Sequence, residues 1–276
     1  MGKGPGLYSE IGKRAKDLLT KDFLQDQKFT VTSTTSPGLT FTSTSIKKGE
    51  EVVGEVHVHV KNKNVTADFK VDTDFNVFPT ITVDDIVPGT RTLLTFKLPD
   101  VKTGKVEFQY FHKHVGLATS IGLIASPTLD LNGSIGGEGF SLGGEVAYDT
   151  ATGSFVKYNA GIGFLNPDFS AAAHLTDKGD LLKATYTHTV SPSRQATVGA
   201  EIVHRFSISQ NTFTVAGLFA LDPLTTLKAR LNNHGKLGAL IQHEWRPKSL
   251  VTLSGEVDTK ALEKAPKIGL ALALKL

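Results

Sequence analysis

The 276-residue chain has no cysteine, one methionine and one tryptophan. Without thiols it can build neither a disulfide-stapled fold nor a cysteine-ligated zinc or iron–sulfur centre, and a cysteine nucleophile is excluded. Long hydrophobic runs are also missing. The longest, Val215 to Leu221 and Ile268 to Leu274, reach about seven residues, far below the roughly 18 that a membrane-spanning helix needs. A bundle of spanning helices is therefore excluded. Neither sign of charge dominates: 30 Lys and Arg face 27 Asp and Glu, and the net +3 is too small to imply a nucleic-acid partner. Near-balanced charge and ample β-branched content argue against disorder. A mean hydropathy of −0.07 with 39% hydrophobic residues describes an ordinary soluble chain on average. Its length would allow one large domain or two smaller ones.

What is present changes that picture. There are 31 Thr and 27 Gly, which favour strands and the turns between them. Helical spacing occurs once, where Leu7, Ile11, Ala15 and Leu18 align with Glu10, Lys13, Arg14, Lys16 and Asp17 on the other faces. This predicts an amphipathic helix of about three turns, preceded by a flexible, glycine-rich Met1 to Gly6. It is not a signal peptide, since no apolar core follows Lys3, and Gly6 breaks a myristoylation motif. From Phe29 onward the period is two. Val52, Gly54, Val56, Val58 and Val60 alternate with Val53, Glu55, His57 and His59, and similar runs recur to Ile268, Leu270, Leu272 and Leu274. Turn signals such as Ser36-Pro37-Gly38, Asn62-Lys63-Asn64, Ser191-Pro192 and Asn232 to Gly235 separate them, so hairpins form an antiparallel meander. No composition break divides it, and the expected organisation is an N-terminal segment, 1–27, followed by one β domain, 28–276.

Three architectures fit such a meander: a soluble sandwich, a small ligand-binding barrel and a large membrane barrel. Glu51 to Lys61, Phe155 to Phe164, Asp180 to Val190 and Arg194 to Arg205 run ten to twelve residues. Sandwich strands are typically about five or six residues, whereas a tilted strand needs roughly 9 to 11 to cross a bilayer. The polar faces hold Glu55, Asp68, Lys70, Glu145, Lys183, Glu201, Arg205, Lys228, Arg230 and Glu256, which suits a water-filled lumen better than a dry core. Alternation alone does not say which face points outward. A soluble all-β binding or scaffold protein therefore stays open at this point.

The chain resembles the mitochondrial voltage-dependent anion channels, the eukaryotic porins, over its full length. Tyr8 to Lys21 resembles the family's pore-lining helix, with its Tyr, its Gly12-Lys13 pair and its closing Thr20-Lys21. Thr80 to Asp85 resembles a recurrent early hairpin. Asp222-Pro223, followed by Lys228, Arg230, Asn232, Asn233 and Gly238, resembles the family signature and is the most specific match. Lys267, Gly269, Leu272 and Leu274 fit the short pattern by which mitochondrial barrels are recognised for insertion. The N-terminal wording and the lack of cysteine are closer to plant than to animal members. The resemblance implies a membrane-spanning barrel of nineteen strands, the first and last parallel, with the helix folded into the lumen, and strand and turn lengths are compatible with that number. It implies a voltage-gated, weakly anion-selective channel of the mitochondrial outer membrane that passes ATP, ADP, phosphate and small ions. Partners would be the bilayer and the permeating anions and nucleotides, with a homo-oligomer and cytosolic kinases by family analogy. A protein-import barrel of the same fold is a further reading; a longer N-terminal extension would favour it, and none is expected. One departure matters. Animal members often carry a membrane-facing glutamate where this chain has Phe69, so that acid's functions do not transfer.

No catalytic constellation, cofactor site or metal site is expected. His57/His59 and His112/His114 have the i,i+2 spacing that can chelate a metal, but lacking a third ligand they read as pore-facing or turn histidines. Gly133 to Gly139 lacks a following Lys-Ser/Thr and is a turn rather than a phosphate loop. Asn64-Val65-Thr66 and Asn132-Gly133-Ser134 match glycosylation sequons by chance. Function therefore falls to electrostatics. If the helix hangs in the lumen, as the resemblance implies, Lys13, Arg14, Lys16 and Lys21 set anion preference and help gate, while Leu7, Tyr8, Ile11 and Leu18 pack on the wall.

Overall fold

The computed structural model describes residues 4–191, 195–263 and 265–276. Nineteen strands follow the N-terminal segment: β1 Gln27–Ser36, β2 Leu39–Lys48, β3 Glu51–Asn62, β4 Val65–Asp72, β5 Val77–Asp84, β6 Thr90–Thr95, β7 Lys105–Phe111, β8 Val115–Gly122, β9 Thr128–Gly137, β10 Phe140–Asp149, β11 Ser154–Leu165, β12 Phe169–Thr176, β13 Leu181–Ser191, β14 Ala196–Arg205, β15 Gln210–Asp222, β16 Thr225–Asn232, β17 Lys236–Arg246, β18 Ser249–Asp258 and β19 Lys267–Lys275. Each pairs antiparallel with its neighbours in the chain, and β19 closes on β1. Direction alternates along a meander, so the ends of an odd-numbered series point the same way. The closing pair is parallel, with Gln27 opposite Leu270 and Val31 opposite Leu274. Closure satisfies every strand edge, which hydrocarbon demands because it offers no hydrogen bonds.

The structure supplies the sign that alternation could not. Phe29, Val56, Phe69, Leu131, Ile202, Leu253 and Ile268 lie outward and exposed, while Glu55, Lys70, Glu145, Glu201, Arg230 and Glu256 point inward and pair with one another's strands or with the N-terminal segment. A band of bare Val, Leu, Ile and Phe around a polar interior is a barrel turned inside out for lipid. It removes the soluble alternative. Phe69 is 42% exposed on that lipid face, and its register partners, Val58 and Pro79, are apolar too.

Several expectations are corrected. Gly133 to Gly137, expected in a turn, lie in β9, and only Glu138 and Gly139 turn between β9 and β10. The long-strand rule holds for β3, β11 and β13, of 12, 12 and 11 residues, but β4 to β8 have 6 to 8. The expected start of β14 at Arg194 lies outside the described residues, as do Pro192 and Met1 to Lys3. The single three-turn helix is also two pieces. Tyr8–Glu10 forms one tight turn, Ile11 is extended, Gly12 is left-handed at φ 72°, and only Lys13–Thr20, here α1, is α-helical. The break lets Tyr8 and Ile11 reach the wall at a different angle from Ala15, Leu18 and Leu19. Leu7 is extended and half-buried rather than helical. Gly4 to Gly6, expected to be flexible, are held against the wall, where the Ser134 hydroxyl donates to the Gly6 carbonyl.

Candidate functional site

The lumen is the candidate site, and the N-terminal segment is its most distinctive part. Tyr8, Ile11, Ala15, Leu18 and Leu19 are buried against the inner wall. Tyr8 and Ile11 cluster with Ala172 of β12, whereas Ala15, Leu18 and Leu19 cluster with Ala216 and Leu218 of β15. An inner wall of Thr and charged residues offers no such seat, so the chain places small residues on the inward positions beneath the segment. A Cβ at Gly199 would stand 2.7 Å from Leu18 Cδ2, one at Gly163 would stand 2.9 Å from Ile11 Cγ2, and one at Gly161 would stand 3.0 Å from the Tyr8 ring. This track of glycine and alanine was invisible as a site in sequence. The signal was available: Gly or Ala at inward positions of strands whose other inward residues are polar.

Polar contacts hold the two ends of the segment. The Tyr8 amide donates to Asn132 Oδ1 at 3.1 Å, and Arg14 donates to the carbonyls of Asn166 and Pro167 at 2.7 and 3.3 Å. Beyond α1, Arg230 of β16 donates to the Leu19 carbonyl at 2.9 Å and to Glu256 at 2.8 Å, and its guanidinium lies 4.2 Å from the centre of the Phe23 ring. Arg230, Gly238 and Glu256 occupy one rung across β16, β17 and β18. The arginine can cross β17 only because that rung has no side chain there; a Cβ on Gly238 would lie 3.1 Å from Arg230 Nε. Ser254 donates to the Leu24 carbonyl at 2.5 Å, beside Gly269.

Arg230 and Glu256 keep only 24% and 18% of their side-chain surface, so this pair is shielded from water. Removing the guanidinium takes the Arg230 bond from the Leu19 carbonyl and leaves Glu256 with only the longer bond from Gln25, at 3.3 Å, and bonds to charged groups are each worth about 1.5–3 kcal/mol. Arg230→Ala is expected to raise amide exchange across residues 19–26 by about one to two orders of magnitude while the strand amides stay protected. Hydrogen exchange read by mass spectrometry checks this.

Along the wall, acids and bases cancel across strands. Lys70 meets Glu55 at 2.6 Å, Lys157 meets Glu145 at 2.8 Å, Arg91 meets Asp84 at 2.5 Å, Lys105 meets Asp130 at 3.1 Å, and Lys183 pairs with Glu201. Such exposed pairs add little stability, but they leave little net field. Lys13, Lys16 and Lys21 are exposed and, among the described residues, sit in no ion pair. At the rim, Ser207 donates to Asp180, and Arg205 lies beside it; both hold that carboxyl below the ordinary range. A depressed carboxyl stabilises the fold above its unfolded pKa, and this contribution is lost as pH falls through its folded value.

The remaining residues singled out in sequence divide by role. Asp222 caps the turn at Pro223 by accepting from the Leu224 amide at 2.8 Å. Asn232 accepts from the His234 and Lys236 amides, and Asn233 bridges to Phe213 and Asn211. These three signature positions build turns. Lys228 is buried, 3.5 Å from Asp22, just past the end of α1. Lys267 donates to Gln25 at 3.0 Å, Gly269 lies against the Leu24 carbonyl, and Leu272 and Leu274 oppose Phe29 and Val31 in the parallel seam. His112 and His114 lie within the β7–β8 connection. His57 and His59 face the lumen, and both reach Asp68 on β4.

A family model described as "Eukaryotic porin" matches residues 4–269. Among curated proteins, the chain is 54% identical to "Mitochondrial outer membrane protein porin of 36 kDa" of Solanum tuberosum and 52% identical to "Mitochondrial outer membrane protein porin 3" of Arabidopsis thaliana, each over 100% of both chains. It is 50% identical to "Outer plastidial membrane protein porin" of Pisum sativum, again over 100% of both. Among solved structures, a triple mutant of the Rhodopseudomonas blastica porin aligns at 11% identity with a TM-score of 0.48, covering 87% of this chain and 93% of that one.

Proposed function

The chain belongs to the eukaryotic porin family, and on that premise we propose that its pore is voltage-gated and weakly anion-preferring, with the N-terminal segment supplying both properties. As a porin spanning the mitochondrial outer membrane, it passes small hydrophilic metabolites. ATP, ADP, phosphate and small anions are the solutes its charges favour. The observation that carries the reading is the placement of Lys13, Lys16 and Lys21, which sit in no ion pair among the described residues, on a segment inside a lumen where several wall charges meet in pairs. A wide pore selects by summed potential rather than by a fitted site, so uncancelled charge at the aperture decides the preference. The same cations feel the transmembrane field, at about 2.3 kcal/mol per elementary charge per 100 mV.

Residues 1–27 act in this reading as one movable lining unit on a fixed barrel, 28–276. Homo-oligomers and docked cytosolic kinases extend it by family analogy. The import barrel is set aside because the relatives that cover the chain from end to end are named as porins. Reconstitution in a planar bilayer tests the proposal. Discrete conductance steps that fall to lower levels at both voltage polarities are expected; steps that ignore voltage would remove the gating claim.

A further inference from the structure

The front half of the N-terminal segment rests on a titratable group that the reading above does not use. His174 points inward from β12, and its ring meets the Tyr8 ring edge to face, with centroids 5.7 Å apart and planes at 70°. Glycines make room for it. A Cβ on Gly12 would lie 3.1 Å from His174 Cε1, and one on Gly161, directly opposite on β11, would lie 3.1 Å from His174 Cδ2. Tyr8, Ile11 and Ala172 form the apolar part of this seat. His174 Nδ1 is buried and has no hydrogen-bond partner among the described residues. Lys183 stands directly opposite His174 on β13, and its ammonium is paired with Glu201 of β14. Glu145 of β10 is the acid that faces the site, but it is already engaged by Lys157 at 2.8 Å and by Asn159 at 2.6 Å, both on β11. The segment itself contributes the Tyr8 hydroxyl and, next to Gly12, the exposed Lys13.

We propose that His174 is an acid-sensitive seat for residues 7–12: a proton on its imidazole unseats Tyr8 and Ile11, and the pore then closes more readily. A neutral imidazole carries one N–H and can leave Nδ1 bare, whereas the imidazolium carries two, and both need acceptors. The buried Nδ1–H finds none while Tyr8, Gly12 and Gly161 stay packed around the ring, and an unmade bond of this kind is costly. A second positive charge beside Lys183 adds repulsion, and Glu145 is too well occupied to cancel it. Lifting the front half of the segment lets water reach the ring and relieves both costs. Imidazole is the side chain that changes charge in this way between about pH 7.5 and pH 5.5, where carboxylates stay ionised and lysines stay protonated. The effect on closure rests on the gating role proposed above; the unseating does not.

Hydrogen exchange of the refolded full chain in detergent, compared at about pH 7.5 and pH 5.5 and corrected for the intrinsic effect of pH, tests the unseating. The amides of residues 7–12 include Glu10 and Ile11, which donate to the Leu7 and Tyr8 carbonyls. Their protection is expected to fall at least about tenfold at the lower pH, while residues 19–26, held by Arg230 and Ser254, keep theirs. A His174→Gln variant, uncharged at both pH values, should show no such fall; His174→Asn replaces it if circular dichroism shows that the glutamine variant has not refolded. His112→Gln/His114→Gln, altered beside Gly4 at the mouth, should show the fall in full. No fall in the unaltered chain overturns the proposal, and so does an equal fall in the His174 variant or its loss in the His112/His114 variant. In a planar bilayer, acidification should move the midpoint for closure toward zero in the unaltered chain and leave it in place in the His174 variant. If exchange responds and the midpoint does not, the seat stands and the gating role of the segment fails.

Discussion

Replacing Lys13, Lys16 and Lys21 together by glutamate is expected to change the sign of the reversal potential across a salt gradient, from anion-preferring to cation-preferring. Each substitution removes one positive and adds one negative charge, which carries the formal net charge of the chain from +3 to −3. The wall does little to buffer the change, since several of its charges meet in pairs, such as Lys70 with Glu55 and Lys157 with Glu145. The effect should be largest in dilute salt and shrink near 1 M, where screening lengths fall from about 10 Å to about 3 Å. An equal change at both concentrations would mean that the lysines act by reshaping the pore instead.

Gly199→Leu is expected to give the second large effect, by unseating α1. A Cβ there would already stand 2.7 Å from Leu18 Cδ2 and 3.1 Å from Thr187 Cγ2, so a full side chain leaves Leu18 no place on the wall. Overpacking of this kind costs about 1–3 kcal/mol. If closure carries on the order of two elementary charges through the field, a loss of ~2 kcal/mol moves the midpoint for closure toward zero by about 40 mV. The open level should also become noisier, as the segment samples the lumen. Strand content by circular dichroism should not change. Gly217→Leu is the control, because the Cβ position at Gly217 on β15 has nothing within 4 Å; its midpoint should stay where it was.

Much of the architecture was legible because a membrane barrel writes its fold in period two. Val52 to Val60 against Glu55, His57 and His59 gave β3 with both faces, and Asn62-Lys63-Asn64 gave its turn. What sequence could not fix was the sign of the faces, since outward Val56 and inward Glu55 alternate identically in either kind of barrel. The helix was legible as a stripe of Leu7, Ile11, Ala15 and Leu18 but not as two pieces, because its packing partners, Ala172 and Ala216, lie far along the chain. Gly12 reads only as half of the Gly12-Lys13 pair until the structure shows why it must be glycine: its backbone is left-handed, and a Cβ there would lie 3.1 Å from His174 and 3.2 Å from Ala172. The family signature was legible as a pattern, and the structure gives it physical content. Asn232 and Asn233 shape a turn, whereas Arg230 and Gly238 are the two halves of one crossing, a long cation and the gap that lets it through. The partner of His57 and His59 was hidden for the same reason, since only strand register brings Asp68 to them.

The absence of cysteine makes the central claim directly accessible. A single Lys16→Cys substitution creates the only thiol in the chain, on the exposed face of α1. With single channels open in a planar bilayer under a salt gradient, a negatively charged thiosulfonate reagent is added and reversal potential is followed in time. A discrete shift away from anion preference, within the lifetime of one open channel, is the predicted result, because the reagent places a new negative charge beside the permeating ions. Complete modification by mass spectrometry with an unmoved reversal potential would contradict the account.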